Sequence, residues 1–274
     1  MFRLAATVSV LLSACAVERT VSEEPPEHGT VMPIIFEGET PDRPEHEAVV
    51  SLHELTRNGT RVSADPFCTG TLIAEDLVLT AAHCLDVARP RANRFEEMDP
   101  ADLAISFGDR PRRSLPGSAH DVADLRIHPR YDRNTLAHDI ALVRLVAPVT
   151  DVTPVPPLPS SMGMGPHDIG ATADFAGFGL REDGGDGVKL HVEVDLVGPG
   201  CALAACPDGG FPAIQVSYRQ RDGGPCSGDS GGPLFLRRGP AVFVAGVTSC
   251  GDAACTRYGV SARVDAYERF IASF

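Results

Sequence analysis

Residues 190–196, Leu-His-Val-Glu-Val-Asp-Leu, alternate apolar and polar side chains without a break. A period of two is the mark of a half-buried β-strand. Short apolar stretches at 48–52, 67–73, 76–80, 103–107, 122–128, 140–146, 234–236 and 241–249 predict further strands. The stretch 140–146 is apolar except for Arg144. Polar residues 54–66 predict a loop, and 147–164, with five prolines, predicts an irregular connection. Helical spacing is scarce until the end of the chain. There Val264, Tyr267, Phe270 and Ile271 fall on one face of a closing helix over 264–274. With 27 glycines and 23 prolines punctuating the strands, the pattern predicts an all-β chain.

Composition narrows the setting. A chain of 274 residues, 43% of them hydrophobic, suffices for one or two units with their own cores. A formal net charge of −13 argues against nucleic acid as a partner and against a polybasic grip on anionic lipid. Arg3 precedes a short apolar run, and 1–14 read as an export signal too short to span a bilayer. Leu12-Ser-Ala-Cys15 resembles a bacterial lipoprotein signal. That resemblance implies a lipidated Cys15, membrane attachment through its acyl chains and a bacterial cell-envelope or secreted address. Residues 15–34, rich in Glu, Pro and Thr, then form a spacer or propeptide. Eight cysteines fit an oxidising compartment. The nine histidines show no metal-ligand spacing such as HExxH, so neither metal nor cofactor is expected.

One stretch is chemically exceptional. Residues 222–234, Asp-Gly-Gly-Pro-Cys-Ser-Gly-Asp-Ser-Gly-Gly-Pro-Leu, are too glycine-rich for a helix or central strand. Ser230 stands between turn-forming glycines, accessible and surrounded by free backbone N–H groups. An acyl-transfer nucleophile needs that setting, together with a base and a group to hold the base. His83 follows the hydrophobic run 71–79, and Asp139 stands at the mouth of the apolar strand 140–146.

The segments TAAHC at 80–84, DIALVRL at 139–145 and GDSGGP at 228–233, in that order, resemble those of the trypsin/chymotrypsin family of serine peptidases. The resemblance covers 35–274. It implies two packed six-stranded antiparallel β-barrels and a short C-terminal helix. The first barrel would span about 35–147, the linker about 148–164, the second barrel about 165–263 and the helix about 264–274. The roles implied are His83 as general base, Asp139 as its orienting acid and Ser230 as nucleophile, with the N–H groups of Gly228 and Ser230 forming the oxyanion hole. Cleavage before Ile35, or before Ile34, by an activating protease would free an amine to pair with Asp229. Phe36 and Glu37 depart from the family's usual terminus, and no Arg or Lys precedes either isoleucine.

The family pairs Cys68 with Cys84 and Cys226 with Cys255. Cys201 and Cys206 would close a local loop and leave Cys250 odd, or one of them would bond Cys250. Gly224 falls at the base of the primary pocket, with Gly251 and Gly259 on its walls. Ser249 and Gly251 flank the strand expected to pair with substrate, and Cys250 stands where relatives carry tryptophan. An open, uncharged pocket favours apolar or aromatic side chains. Asp222 or Asp252 at its rim is the route to a basic preference. The charged insertion 86–101 is expected as a surface excursion near the cleft. The function implied is a monomeric serine endopeptidase acting on peptides or proteins. The alternative is a silent or latent binding protein on the same fold. An α/β-hydrolase esterase fails on residue order and on Gly231, Gly232 and Pro233, which forbid a helix after Ser230.

Overall fold

The nine predicted strands, with three more at Thr172–Gly177, Gln215–Arg219 and Tyr258–Arg263 that no apolar run marks, close into the two six-stranded antiparallel barrels that the resemblance implies. The computed structural model describes residues 38–58, 61–111, 119–181, 184–200, 211, 213–221 and 223–274, without the side chains of 56–65. The first barrel comprises β1 (Val49–Asn58), β2 (Arg61–Ala74), β3 (Leu77–Thr80), β4 (Leu103–Ser106), β5 (Ala119–Ile127) and β6 (Ala141–Leu145), in the spatial order β1-β2-β3-β6-β5-β4. The second comprises β7 (Thr172–Gly177), β8 (Leu190–Pro199), β9 (Gln215–Arg219), β10 (Pro233–Arg238), β11 (Ala241–Gly251) and β12 (Tyr258–Arg263), in the order β10-β11-β12-β9-β8-β7. Closure leaves neither sheet an open edge.

One hydrophobic cluster runs from Leu52, Leu79 and Leu142 of the first barrel to Phe235, Val244 and Val247 of the second, so the barrels share a core at their junction. Truncating a leucine as buried as Leu142 costs about 2–5 kcal/mol.

The polar residues 54–66 are a hairpin, not a loop. β1 and β2 stay in register through Leu55 opposite Ala64 to Asn58 opposite Arg61. The apolar pattern reports a buried face, and a hairpin held by its ladder needs none. The C-terminal segment begins as a 3-10 turn, Val264–Tyr267, and continues into α2 (Glu268–Ile271). Val264 and Tyr267 are buried, and Phe270 and Ile271 pack partly buried on the shared core. Along β8 the alternation holds for Val192, Val194 and Leu196 inside, with Glu193 and Asp195 outside. His191 breaks it. It lies on the outer face yet is buried, because the segment before β1 covers it through a bridge between Glu39 and His191.

Candidate active site

His83 lies in α1 (Ala82–Leu85), one helical turn directly after β3. A single turn does not hold itself. The Cys68–Cys84 disulfide ties it to β2, and the His83 backbone N–H donates to Asp139 Oδ1 at 2.8 Å. Asp139 precedes β6 and is fully buried. Its Oδ2 faces His83 Nδ1 at 2.7 Å and accepts from Ser249 Oγ at 2.6 Å. Burial of the imidazole depresses its proton affinity. The Asp139 charge, the hydrogen bond to it and the more distant Asp86 outweigh that, so the His83 pKa is raised above the ordinary 6.5.

Ser249 is aimed by a bulge. Thr248 pairs with Ser261 and Cys250 with Val260, so Ser249 is the extra residue of β11. A bulge redirects one side chain while the ladder continues. The sequence places Ser249 on the strand expected to pair with substrate; its side chain bonds Asp139.

Ser230 follows from two turns set back to back. Asp229 N–H donates to Cys226 O at 3.0 Å, and Gly232 N–H donates to Asp229 O at 2.9 Å. The third residues of these turns, Gly228 and Gly231, have φ of 95° and 82°. That conformation is the type II requirement for glycine. A Cβ at Gly231 would stand 2.1 Å from Thr80 Oγ1, so the stretch also packs too closely for any side chain there. The Gly228 carbonyl accepts from Thr69 Oγ1 at 2.8 Å, and the Ser230 carbonyl accepts from Thr69 N–H at 2.8 Å. Thr69, next to Cys68, thus fixes the Ser230 loop to the first barrel. Nothing in the sequence pattern singles it out.

Cys84 Sγ lies 3.9 Å from His83 Nε2 and 3.6 Å from Ser230 O, so one sulfur touches both residues. Among the described residues no hydrogen bond joins Ser230 Oγ to His83 Nε2, and the N–H groups of Gly228 and Ser230 have no acceptor. One donor atom each from Cys68, His83 and Cys84 is close enough for a metal, but the disulfide consumes both sulfurs.

Asp229 is buried and accepts N–H groups from Gly179 at 2.8 Å and Cys226 at 2.9 Å. Burial outweighs both hydrogen bonds and pushes its pKa up to about 7. Among the described residues it has no cationic partner. Ile35 lies outside them, as do Ile34, Cys15, Cys201, Cys206 and Asp222.

The second disulfide, Cys226–Cys255, joins the Ser230 loop to the segment after β11. Cys250 is itself disulfide-bonded, so it is not odd. Asp252 accepts the N–H groups of Arg257 at 2.8 Å and Tyr258 at 3.1 Å, which commits its carboxylate to that segment. Gly224, Gly251 and Gly259 do come together, through two residues that the sequence pattern does not mark. Gln220 packs where a Cβ on Gly224 would point, at 2.4 Å, and lies 3.4 Å from that of Gly251. The Tyr218 ring, 2.3 Å away, fills the same direction at Gly259. Both side chains are buried, so a neutral amide and a phenol lie against these three glycines. Tyr218 lies in β9 and Gln220 just after it, a strand the apolar pattern does not mark, which is why neither stands out.

The insertion 86–101 is tied down rather than loose. Arg133 Nε donates to Asp86 Oδ2 at 2.8 Å, and its Nη atoms donate to the carbonyls of Ala88, Arg89 and Ala92.

The trypsin family model matches residues 35–271. Trypsin epsilon of Drosophila erecta is 31% identical over 218 residues, covering 75% of this chain and 76% of that protein. Mannan-binding lectin serine protease 1 of Homo sapiens is 30% identical over 73% of this chain, and coagulation factor XII of Sus scrofa 33% over 68%. The chain spans 30% and 32% of those two longer relatives. These relatives are animal proteins, and they overturn the bacterial origin expected from the first fifteen residues. The lipid-anchored envelope address falls with it. A short apolar run ending at Cys15 is too little sequence to outweigh a match over most of the chain.

Proposed function

This chain belongs to the trypsin family of serine peptidases, and from that premise we propose that it is an endopeptidase that works through an acyl-enzyme on Ser230. His83 takes the Ser230 proton as the hydroxyl attacks the scissile carbonyl, then returns it to the leaving amine. Asp139 holds the Nδ1 tautomer and stabilises the imidazolium, with Ser249 holding Asp139. The N–H groups of Gly228 and Ser230 receive the oxyanion. The Ser230–His83 hydrogen bond forms as substrate seats, since such bonds are often long before the Michaelis complex. The observation that carries this reading is the double grip of Asp139 on His83, at the ring and at the backbone.

Substrates are peptides or proteins. The neutral lining from Gln220 and Tyr218 favours uncharged side chains of moderate size over Arg or Lys. Asp229 supports activation by a freed amino terminus at Ile35, which would bring a cation to the buried carboxyl. The disulfides suit an extracellular setting.

The test is a serine-directed phosphonate followed by mass spectrometry. Labelling at Ser230 alone, in material beginning at Ile35, is expected. Labelling elsewhere, or none in that processed form, defeats the reading and leaves the silent binding protein.

A further inference from the structure

The buried His191 on the outer face of β8 belongs to a second cluster. One donor atom each from Asp42, His46 and His191 lies within 4.8 Å of the others. His46 and His191 are 1% and 3% exposed, and their rings are 4.5 Å apart. Burying two imidazoles side by side needs a reason.

Asp174 supplies half of it. Its carboxylate engages one nitrogen of each ring, His46 Nε2 at 2.7 Å and His191 Nδ1 at 3.1 Å. Those nitrogens carry the protons, because a carboxylate accepts. The other two, His46 Nδ1 and His191 Nε2, are then bare lone pairs, and both are buried with no hydrogen-bond partner among the described residues. His191 Nε2 faces Asp42 Oδ1 at 3.7 Å and Glu39 Oε2 at 3.9 Å, beyond hydrogen-bond reach. Donors around tetrahedral zinc stand about 3.4 Å apart, given bond lengths near 2.0–2.1 Å. Asp42 and Glu39 are 68% and 79% exposed at their side chains and free to close that gap.

Charge agrees. Asp42, Asp174 and Glu193 share the Arg43 guanidinium, while Glu39 lies 3.9 Å from His191 Nε2. Arg43 bonds Asp174 at 3.0 Å and Glu193 at 2.6 Å but reaches Asp42 only at 3.8 Å. The buried amine of Lys189 donates to the His46 carbonyl and does not compete.

We infer that His46, His191 and Asp42, with Glu39 as fourth ligand, form a zinc site oriented by Asp174. Imidazole donors select Zn2+ over Mg2+ and Ca2+, and a carboxylate on each ligand's far nitrogen is the usual outer partner of zinc-bound histidine. No sequence motif announces it, because the ligands come from segments about 150 residues apart. Bound zinc would clamp the segment before β1 onto β8, adding to the Glu39–His191 backbone pair.

The experiment uses the full chain, stripped with EDTA and desalted, then given Zn2+ and desalted again. One zinc per chain by plasma mass spectrometry is expected, and Co2+ in its place should show the visible bands of a four-coordinate ion. Asp42→Asn, at the surface, should weaken zinc binding about tenfold or more. His191→Ala should abolish retention. His83→Ala should keep the zinc, which separates this site from the proposed catalytic histidine. No retained zinc, retention of Mg2+ or Ca2+ instead, or equal zinc affinity in Asp42→Asn and the parent chain would overturn the assignment. The Asp42→Asn and Co2+ measurements decide it even if His191→Ala fails to fold.

Discussion

Ser249 donates a 2.6 Å hydrogen bond to Asp139 Oδ2, the oxygen that also faces His83 Nδ1 at 2.7 Å. The carboxylate is buried, so this hydroxyl replaces a water that cannot reach it. Ser249→Ala removes one hydrogen bond to a charged group, about 1.5–3 kcal/mol. A fall in kcat/KM of about tenfold or more is expected if Asp139 must stay oriented. The less solvated carboxylate should also hold the imidazolium more tightly and raise the apparent pKa of the rate profile. Steady-state kinetics across pH measure both effects.

His83 acts as a base only when neutral, and its pKa is raised above 6.5. Activity should therefore climb with pH through a midpoint above that value. Asp139→Asn removes the charge that raises it, and kcat should drop by about 10⁴-fold, the size of loss that follows when a Ser-His-Asp triad keeps its geometry but holds the wrong tautomer. A rate profile centred below 6.5 in the parent enzyme would contradict the arrangement.

Asp229, with no cationic partner among the described residues, makes stability pH-dependent. Its folded pKa is about 7 against an ordinary 3.8. Between those values the folded chain keeps a proton that the unfolded chain has lost, so stability falls as pH rises through this window and levels off above it. Every tenfold difference in proton affinity between the two states corresponds to about 1.4 kcal/mol. Asp229→Asn should flatten the slope in urea denaturation at pH 5, 6 and 8. Cleavage before Ile35 should flatten it too, by supplying a cation.

The Cys68–Cys84 disulfide closes a separation of 16 residues. A loop of that size is worth about 3 kcal/mol by the chain-entropy account. A Cys68→Ala, Cys84→Ala double variant should unfold at correspondingly lower denaturant. Because the bond also positions His83, activity should fall by more than the unfolded fraction explains.

Arg133 holds the insertion by one carboxylate and three carbonyls. Arg133→Ala should cost about 1–3 kcal/mol locally and open 86–97 to limited proteolysis. Unchanged protease resistance would mean that the backbone pairing of 86–87 with 96–97 and the Phe95–Tyr131 ring contact hold the insertion without Arg133.

Strands rich in large apolar residues, or alternating as β8 does, are legible in the sequence; β7, β9 and β12 are buried yet are not, because their Ala, Gly, Ser, Thr and Gln positions make no apolar run. Residues 54–66 are not, for the same reason, since a hairpin held by backbone pairing leaves no apolar trace. The glycines around Ser230 are legible because positive φ demands them. Thr69, Gln220 and Tyr218 are hidden, because their importance comes from neighbours distant in sequence. The His46 and His191 cluster is hidden likewise, with its residues divided between the approach to β1 and the start of β8.

The turns 226–229 and 229–232 share Asp229 as a common corner. One carries Gly228, the other Ser230, and neither peptide plane can swing without dragging that corner along. A change in the setting of the Asp229 carboxylate therefore reaches Gly228 on one side and Ser230 on the other through the same residue.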